Sequence, residues 1–177
     1  NVPIINMQCD VDHPTQTLAD LMTIREHFGK QNLKGLKIAV TWAFAPSYAK
    51  PLSVPQGLIT LMTRFGMNVS LAHPKGYNLI DRTVESAKAN AKASGGSFQI
   101  VDDMDAAFED ADIVYPTSWG VYDLMLERQK AKTKAEIDEN QKACLAMNHQ
   151  HKDWICDERR MKLAKESALY MHCLPAD

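Results

Sequence analysis

A chain of 177 residues with 45% hydrophobic and 24% charged content is long enough to bury a core and falls in the range of one globular domain. Its formal net charge of -2 leaves no basic surplus with which to neutralise a nucleic-acid backbone, and the two signs are evenly mixed along the chain. The longest uncharged apolar stretch, around "IAVTWAFAP", is far shorter than the roughly 20 residues of a membrane span, and no basic-then-apolar leader opens the sequence. A cytoplasmic setting is expected, with Cys9, Cys144, Cys156 and Cys173 reduced, since none forms a C-x-x-C pair. The chain enters "VPIINM" directly at Asn1 and stops at Asp177 soon after another apolar run, so both ends look cut from a longer polypeptide.

In chain order, residues 2–7 read as a strand. The helix after them is predicted from Pro14, in its first turn, to a stop at Gly29, with Leu18, Leu21, Met22 and Phe28 on one face. A second strand covers about 36–42. Pro46, Pro51 and Pro55 follow within ten residues, which rules out a helix or a central strand and calls for an extended, ordered loop. The pattern then predicts a helix from Pro55 to Gly66, a strand over 68–73, a helix over 79–96 and a strand over 97–102. A short helix over 104–111 and a strand over 112–118 come next. After Trp119 the chain is helical and polar for some forty residues, and "ALYMHCLP" closes as a last strand. Short Val- and Ile-rich strands alternating with helices predict an α/β fold of three layers, a doubly wound parallel sheet covered on both faces.

Ligands of such sheets bind beyond the carboxyl ends of the strands, which singles out the loops "HPTQ", "AFAPSYAKPLSVP", "HPKGYN", "TSWG" and "HCLPAD". His13-Pro14-Thr15-Gln16 puts an imidazole and a primary amide at a helix N-terminus, where backbone N–H groups favour negative charge. That pair can donate to a carbonyl oxygen and accept from an amide NH2 on one small ligand. The plain alternative is a polar cap in which His13 or Thr15 only satisfies helix donors. The loop at Met171–Pro175 could turn backbone carbonyls to a ligand, or be a strand end with a buried cysteine; no base is identifiable that would make Cys173 a nucleophile. Cys144, His149, His151 and Cys156 are zinc-type ligands, but residues two or five apart share no helix face and the spacing fits no usual metal pattern, so no metal is expected. Ser94-Gly95-Gly96-Ser97 precedes a strand and lacks G-x-G-x-x-G, which argues for a helix stop and against a nucleotide-dependent oxidoreductase.

Taken together, in this order and separation, "HPTQTLADLMTI" and "MHCLPAD" resemble the two signature segments of the aspartate/ornithine carbamoyltransferase family. Between them, "TWAFAPSYAKPLSVPQG", "TRFGMNVSLAHPKGY" and "DADIVYPTSWG" are similar to a branch close to the N-acetylornithine carbamoyltransferases. The resemblance implies a fragment of a two-domain enzyme. Residues 1–28 would be the tail of the carbamoyl-phosphate domain and the interdomain helix, and residues 29–177 the second-substrate domain without its C-terminal end. The family's S-x-R-T phosphate loop does not occur, so the fragment alone is expected to be inactive.

By the same resemblance, the partners are carbamoyl phosphate and an amino acid or amine, whose neutral amino group attacks the carbamoyl carbon as phosphate leaves. His13 would donate to the carbamoyl oxygen; Gln16 and the backbone carbonyls of Cys173 and Leu174 would receive the carbamoyl NH2, with Pro14 and Thr15 in the same binding segment. Lys50, Pro51, Leu52, Thr117, Ser118, Trp119 and Leu174 would hold the second substrate. Ornithine enzymes carry an Asp-Gly-Asn-Asn-type loop and an Asp before Val-Trp, where this chain has the proline-rich loop and Thr117-Ser118-Trp119-Gly120, so ornithine itself is not the expected acceptor. A homotrimer, no cofactor, and a shallow trefoil knot with the loop from Phe44 to Pro55 set against "HCLP" are also implied. The alternative is a non-catalytic amino-acid-binding module of the same fold.

Overall fold

The computed structural model describes residues 2–29, 32–48 and 50–174. Its elements run α1 (Pro14–Phe28), β1 (Lys37–Trp42), α2 (Ser53–Arg64), β2 (Asn68–Ala72), α3 (Asp81–Ser94), β3 (Ser97–Val101) and α4 (Met104–Phe108). Then come β4 (Ile113–Thr117), α5 (Tyr122–Lys130), α6 (Lys134–His149), α7 (Glu158–Met161) and β5 (Leu169–Tyr170). The strands form one parallel sheet in the order β3-β2-β1-β4-β5. β1 and β4 lie inside it and are buried almost throughout, because a parallel sheet is covered above and below.

The chain steps outward from β1 to β2 and β3, then crosses back to β4 and on to β5. Right-handed crossovers that step in opposite directions put their helices on opposite faces. Accordingly α2 and α3 pack together on one side, and α4 covers β1, β2 and β3 from the other. This is the predicted doubly wound α/β architecture. The reversal of direction falls between β1 and β4, so a crevice opens where Trp42 and Thr117 end their strands.

The proline-rich loop beside that crevice is held by backbone bonds. Phe44 N–H donates to the Trp154 carbonyl at 2.8 Å, and Gly120 N–H donates to the Lys50 carbonyl at 2.9 Å. Asn148 of α6 donates from Nδ2 to the carbonyls of Ala45 at 3.2 Å and Ser47 at 2.8 Å. The indole of Trp42 bonds the Trp119 carbonyl, and that of Trp119 bonds the Tyr77 carbonyl, each at 2.9 Å. Ala49 lies outside the described residues.

Several element predictions need correction. Residues 2–7 form no strand: Ile4 is 95% exposed and Met7 66%, and among the described residues no strand lies beside them to take up their backbone groups. In α1 the buried face is Thr17, Asp20, Leu21 and Ile24, while Leu18 and Met22 are exposed. Close helix packing turns the face, since a Cβ at Gly57 of α2 would stand 2.5 Å from Thr17 Cγ2. α2 begins at Ser53, before Pro55, because a proline in the first turn lacks only an N–H the helix cannot use. The last strand is two residues long, paired with Ile113 and Val114, where 168–175 was expected; Pro175 is outside the described residues. Among the described residues no helix is long and apolar enough to cross a membrane.

Candidate active site

At the start of α1, His13 Nδ1 accepts the backbone N–H of Gln16 at 3.4 Å. With the ring proton on Nε2, Nδ1 accepts this backbone N–H, which can only donate; Thr15 Oγ1 also lies 3.3 Å from Nδ1. The cap and the donor are therefore compatible: one nitrogen closes the helix and the other is an N–H donor. Thr15 Oγ1 donates to the Met7 carbonyl at 3.0 Å, which ties the preceding arm to the same turn.

One turn further on, Gln16 Nε2 donates to Asp20 Oδ1 at 2.9 Å. Asp20 is 4% exposed, and its other oxygen accepts the Tyr115 hydroxyl of β4 at 3.2 Å. Burial pushes the Asp20 carboxyl above the usual carboxylate range, and the bonds from Gln16 and Tyr115 work against that rise. Burial likewise pushes the Cys173 thiol up, which keeps it protonated at neutral pH and disfavours it as a nucleophile.

His13, Gln16 and Cys173 border a cleft of about 220 Å³ beyond the ends of β1, β4 and β5. Of the residues singled out in the sequence, His13, Gln16, Lys50, Pro51, Thr117, Ser118, Cys173 and Leu174 line it. Gln8, Val54 and His172 complete the lining, which contains no carboxylate among the described residues. Ser118 Oγ is buried at its edge without a protein hydrogen-bond partner. The structure does not bring Pro14, Thr15, Leu52 or Trp119 to this lining. Pro14 faces a groove between α1, α2 and α3, Thr15 is exposed, and Leu52 and Trp119 are core residues.

Five side chains of this region, Val54 in the first turn of α2 among them, were not named as site residues. His172 sits beside the cysteine already noted, and Gln8 precedes the "HPTQ" segment. Asp20 carries one sequence signal, its i,i+4 spacing from Gln16. Tyr115 lies within a strand, where a tyrosine reads as core. Elsewhere, His149 is exposed while Cys144 is buried, and among the described residues no group of three or more His, Cys, Asp or Glu is placed to hold a metal ion.

A family model described as aspartate/ornithine carbamoyltransferase, Asp/Orn binding domain, matches residues 34–177. The chain is 62% identical, over 98% of its length, to the carbamoyltransferase-type protein YgeW of Escherichia coli K12, and covers 45% of that protein. It is 37% identical to the N-acetylornithine carbamoyltransferase of Xanthomonas axonopodis pv. citri, over 98% of this chain and 46% of the relative. A crystal structure of N-acetyl-L-ornithine transcarbamylase complexed with carbamyl phosphate and N-succinyl-L-norvaline superposes with a TM-score of 0.84 at 34% identity, covering 99% of this chain and 48% of that one. A structure of acetylornithine transcarbamylase complexed with acetylcitrulline gives 0.85. The chain thus spans about half the length of the relatives it matches. With a parallel sheet, a crevice at its switch point and a family match over most of its length, this chain belongs to the aspartate/ornithine carbamoyltransferase family, matching its Asp/Orn-binding domain.

Proposed function

We propose that the longer protein to which these residues belong transfers the carbamoyl group of carbamoyl phosphate to the amino group of an amino acid or amine, releasing phosphate. Residues 29–177 supply the acceptor domain, and residues 1–28 the tail of the carbamoyl-phosphate domain with the interdomain helix. The observation that carries this reading is the convergence of His13 and Gln16 with the loop at Cys173 and Leu174 around one small cleft.

In this reading His13 Nε2–H donates to the carbamoyl oxygen and stabilises the charge that grows there as the amine attacks. The Gln16 amide oxygen and the backbone carbonyls of Cys173 and Leu174 accept from the carbamoyl NH2 and fix the plane of the group. Positioning and oxyanion stabilisation of this kind need no strongly shifted acid or base. Lys50, Pro51, Thr117 and Ser118 face the acceptor. The absence of a carboxylate from the described lining supports an acceptor other than ornithine, whose second ammonium would lack a partner.

The same reading includes a cytoplasmic homotrimer and a shallow knot that sets the proline-rich loop against the loop after β5. Lys50 and Pro51 share the cleft with His172 and Cys173, which supports that juxtaposition. The test is phosphate release by the full-length protein given carbamoyl phosphate and a panel of amines: ornithine, acetylornithine, aspartate, diamines and diaminopropionate. Release with one amine is the expected outcome and names the acceptor. Carbamoyl phosphate binding without release across the panel would favour the non-catalytic module instead.

A further inference from the structure

Asp20 is a buried carboxylate whose burial opposes folding, and no ion pair of it occurs among the described residues. Its two oxygens are nevertheless both used. Oδ1 takes the Gln16 Nε2 donor at 2.9 Å, and Oδ2 takes the Tyr115 hydroxyl at 3.2 Å. On its other side the Tyr115 ring stacks on His172, with centroids 6.4 Å apart and planes at 24°. The pair therefore spans the sheet end from the first turn of α1 to the loop after β5, the two halves of the cleft.

We infer that Asp20 and Tyr115 are positioning residues that fix which end of the Gln16 amide faces the cleft and hold the two halves of the site in register. The inference rests on the reading of this cleft as the carbamoyl site. With both oxygens accepting, Asp20 holds the NH2 end of Gln16 and leaves the amide oxygen for an N–H donor on the ligand. Tyr115 occupies the second oxygen and keeps the carboxylate from rotating. Without Asp20 the amide turns freely and can present NH2 to the carbamoyl NH2, donor against donor.

The experiment uses the full-length protein and measures binding of carbamoyl phosphate and of inorganic phosphate, which has no NH2 for Gln16 to meet. In Asp20→Leu, carbamoyl phosphate affinity is expected to fall about tenfold, the scale of one good hydrogen bond, with phosphate affinity unchanged. Tyr115→Phe keeps the ring in the core, removes one hydroxyl and should give a smaller loss of the same selectivity, so the test survives if Asp20→Leu fails to fold. In a Gln16→Ala background, Asp20→Leu should cost nothing further, because the group it positions is gone. Equal loss of both ligands, or an unchanged ratio between them in folded variants, would overturn the positioning role. Failure of the wild-type protein to bind carbamoyl phosphate would instead overturn the reading of the site itself.

Discussion

The sheet core and the N-terminal stretch from Val2 to Asp20 divide the work of this molecule differently. Ile38, Val40, Trp42, Ile113 and Val114 are fully buried, whereas Val2, Ile4, Ile5 and Met7 are mostly exposed despite an equally apolar sequence. Yet the exposed stretch leads into Gln8, His13 and Gln16, and the core strands reach the cleft mainly through the loops at their ends. Stability resides where apolar area is covered on both sides, and the chemistry-bearing side chains sit where the chain leaves that cover. An apolar run becomes a strand only when a neighbour accepts its backbone bonds.

The largest effect expected from this division is at Trp42, which is fully buried and also bonds the Trp119 carbonyl. Trp42→Ala should lower the unfolding free energy by about 3–5 kcal/mol in urea denaturation, the range for emptying a large aromatic site. A loss below 1 kcal/mol would mean the core is not the seat of stability. The complementary change, under the proposed function, is His13→Ala in the full-length protein, assayed with the amine that the panel identifies. Turnover should fall by roughly 10² to 10³, as for removal of one oxyanion donor, with little change in the unfolding midpoint. Unchanged turnover would remove His13 from the proposed chemistry.

The same division explains how much was legible in the sequence. The inner strands were predicted to within a residue or so, because 37–42 and 113–117 are buried on both faces and read as continuous apolar runs. The end strands were over-read: among the described residues 2–7 pairs with no strand, and 168–174 contributes only Leu169 and Tyr170 at a sheet edge. Apolarity alone predicts a wish for cover and is silent on whether cover is supplied. The α1 face was misplaced for a related reason. Leu18 and Met22 outrank Thr17 and Asp20 in hydrophobicity, but the close approach of Gly57 and the bonds to Gln16 and Tyr115 turn the polar pair inward. Around the cleft, His13, Gln16, Cys173 and Leu174 were singled out through motif, while Asp20 and Tyr115 became visible only with the contact that joins residues 95 apart.

A smaller effect tests the far face of the sheet. Arg159 and Arg160 hold the Asp105 carboxyl at about 2, below its ordinary value of 3.8, through bonds of 2.6 to 2.9 Å that tie α4 to α7. A depressed carboxyl contributes stability above its unfolded value and loses it as pH falls through the folded one, so this share disappears between about pH 4 and pH 2. With the carboxylate about a third exposed and screened by solvent, the share is of order 1 kcal/mol. Asp105→Asn should therefore be slightly less stable than wild type at pH 7 and match it near pH 2. A difference that persists at pH 2 would assign the loss to packing.

The smallest effect expected is also the sharpest probe of the contrast. Ile5 is 78% exposed, so Ile5→Ser in this 177-residue chain should change the unfolding free energy by no more than about 0.5 kcal/mol. In the full-length protein the outcome should differ. If residues 1–28 are the tail of the carbamoyl-phosphate domain, Ile5 gains cover there, and the same substitution should cost about 1.5–3 kcal/mol, the scale for exposing a buried aliphatic side chain to water. A cost in both would mean the arm is packed within this chain after all. A cost in neither would leave the arm a solvent-exposed linker, and the domain division at residue 28 would have to move toward the chain's start.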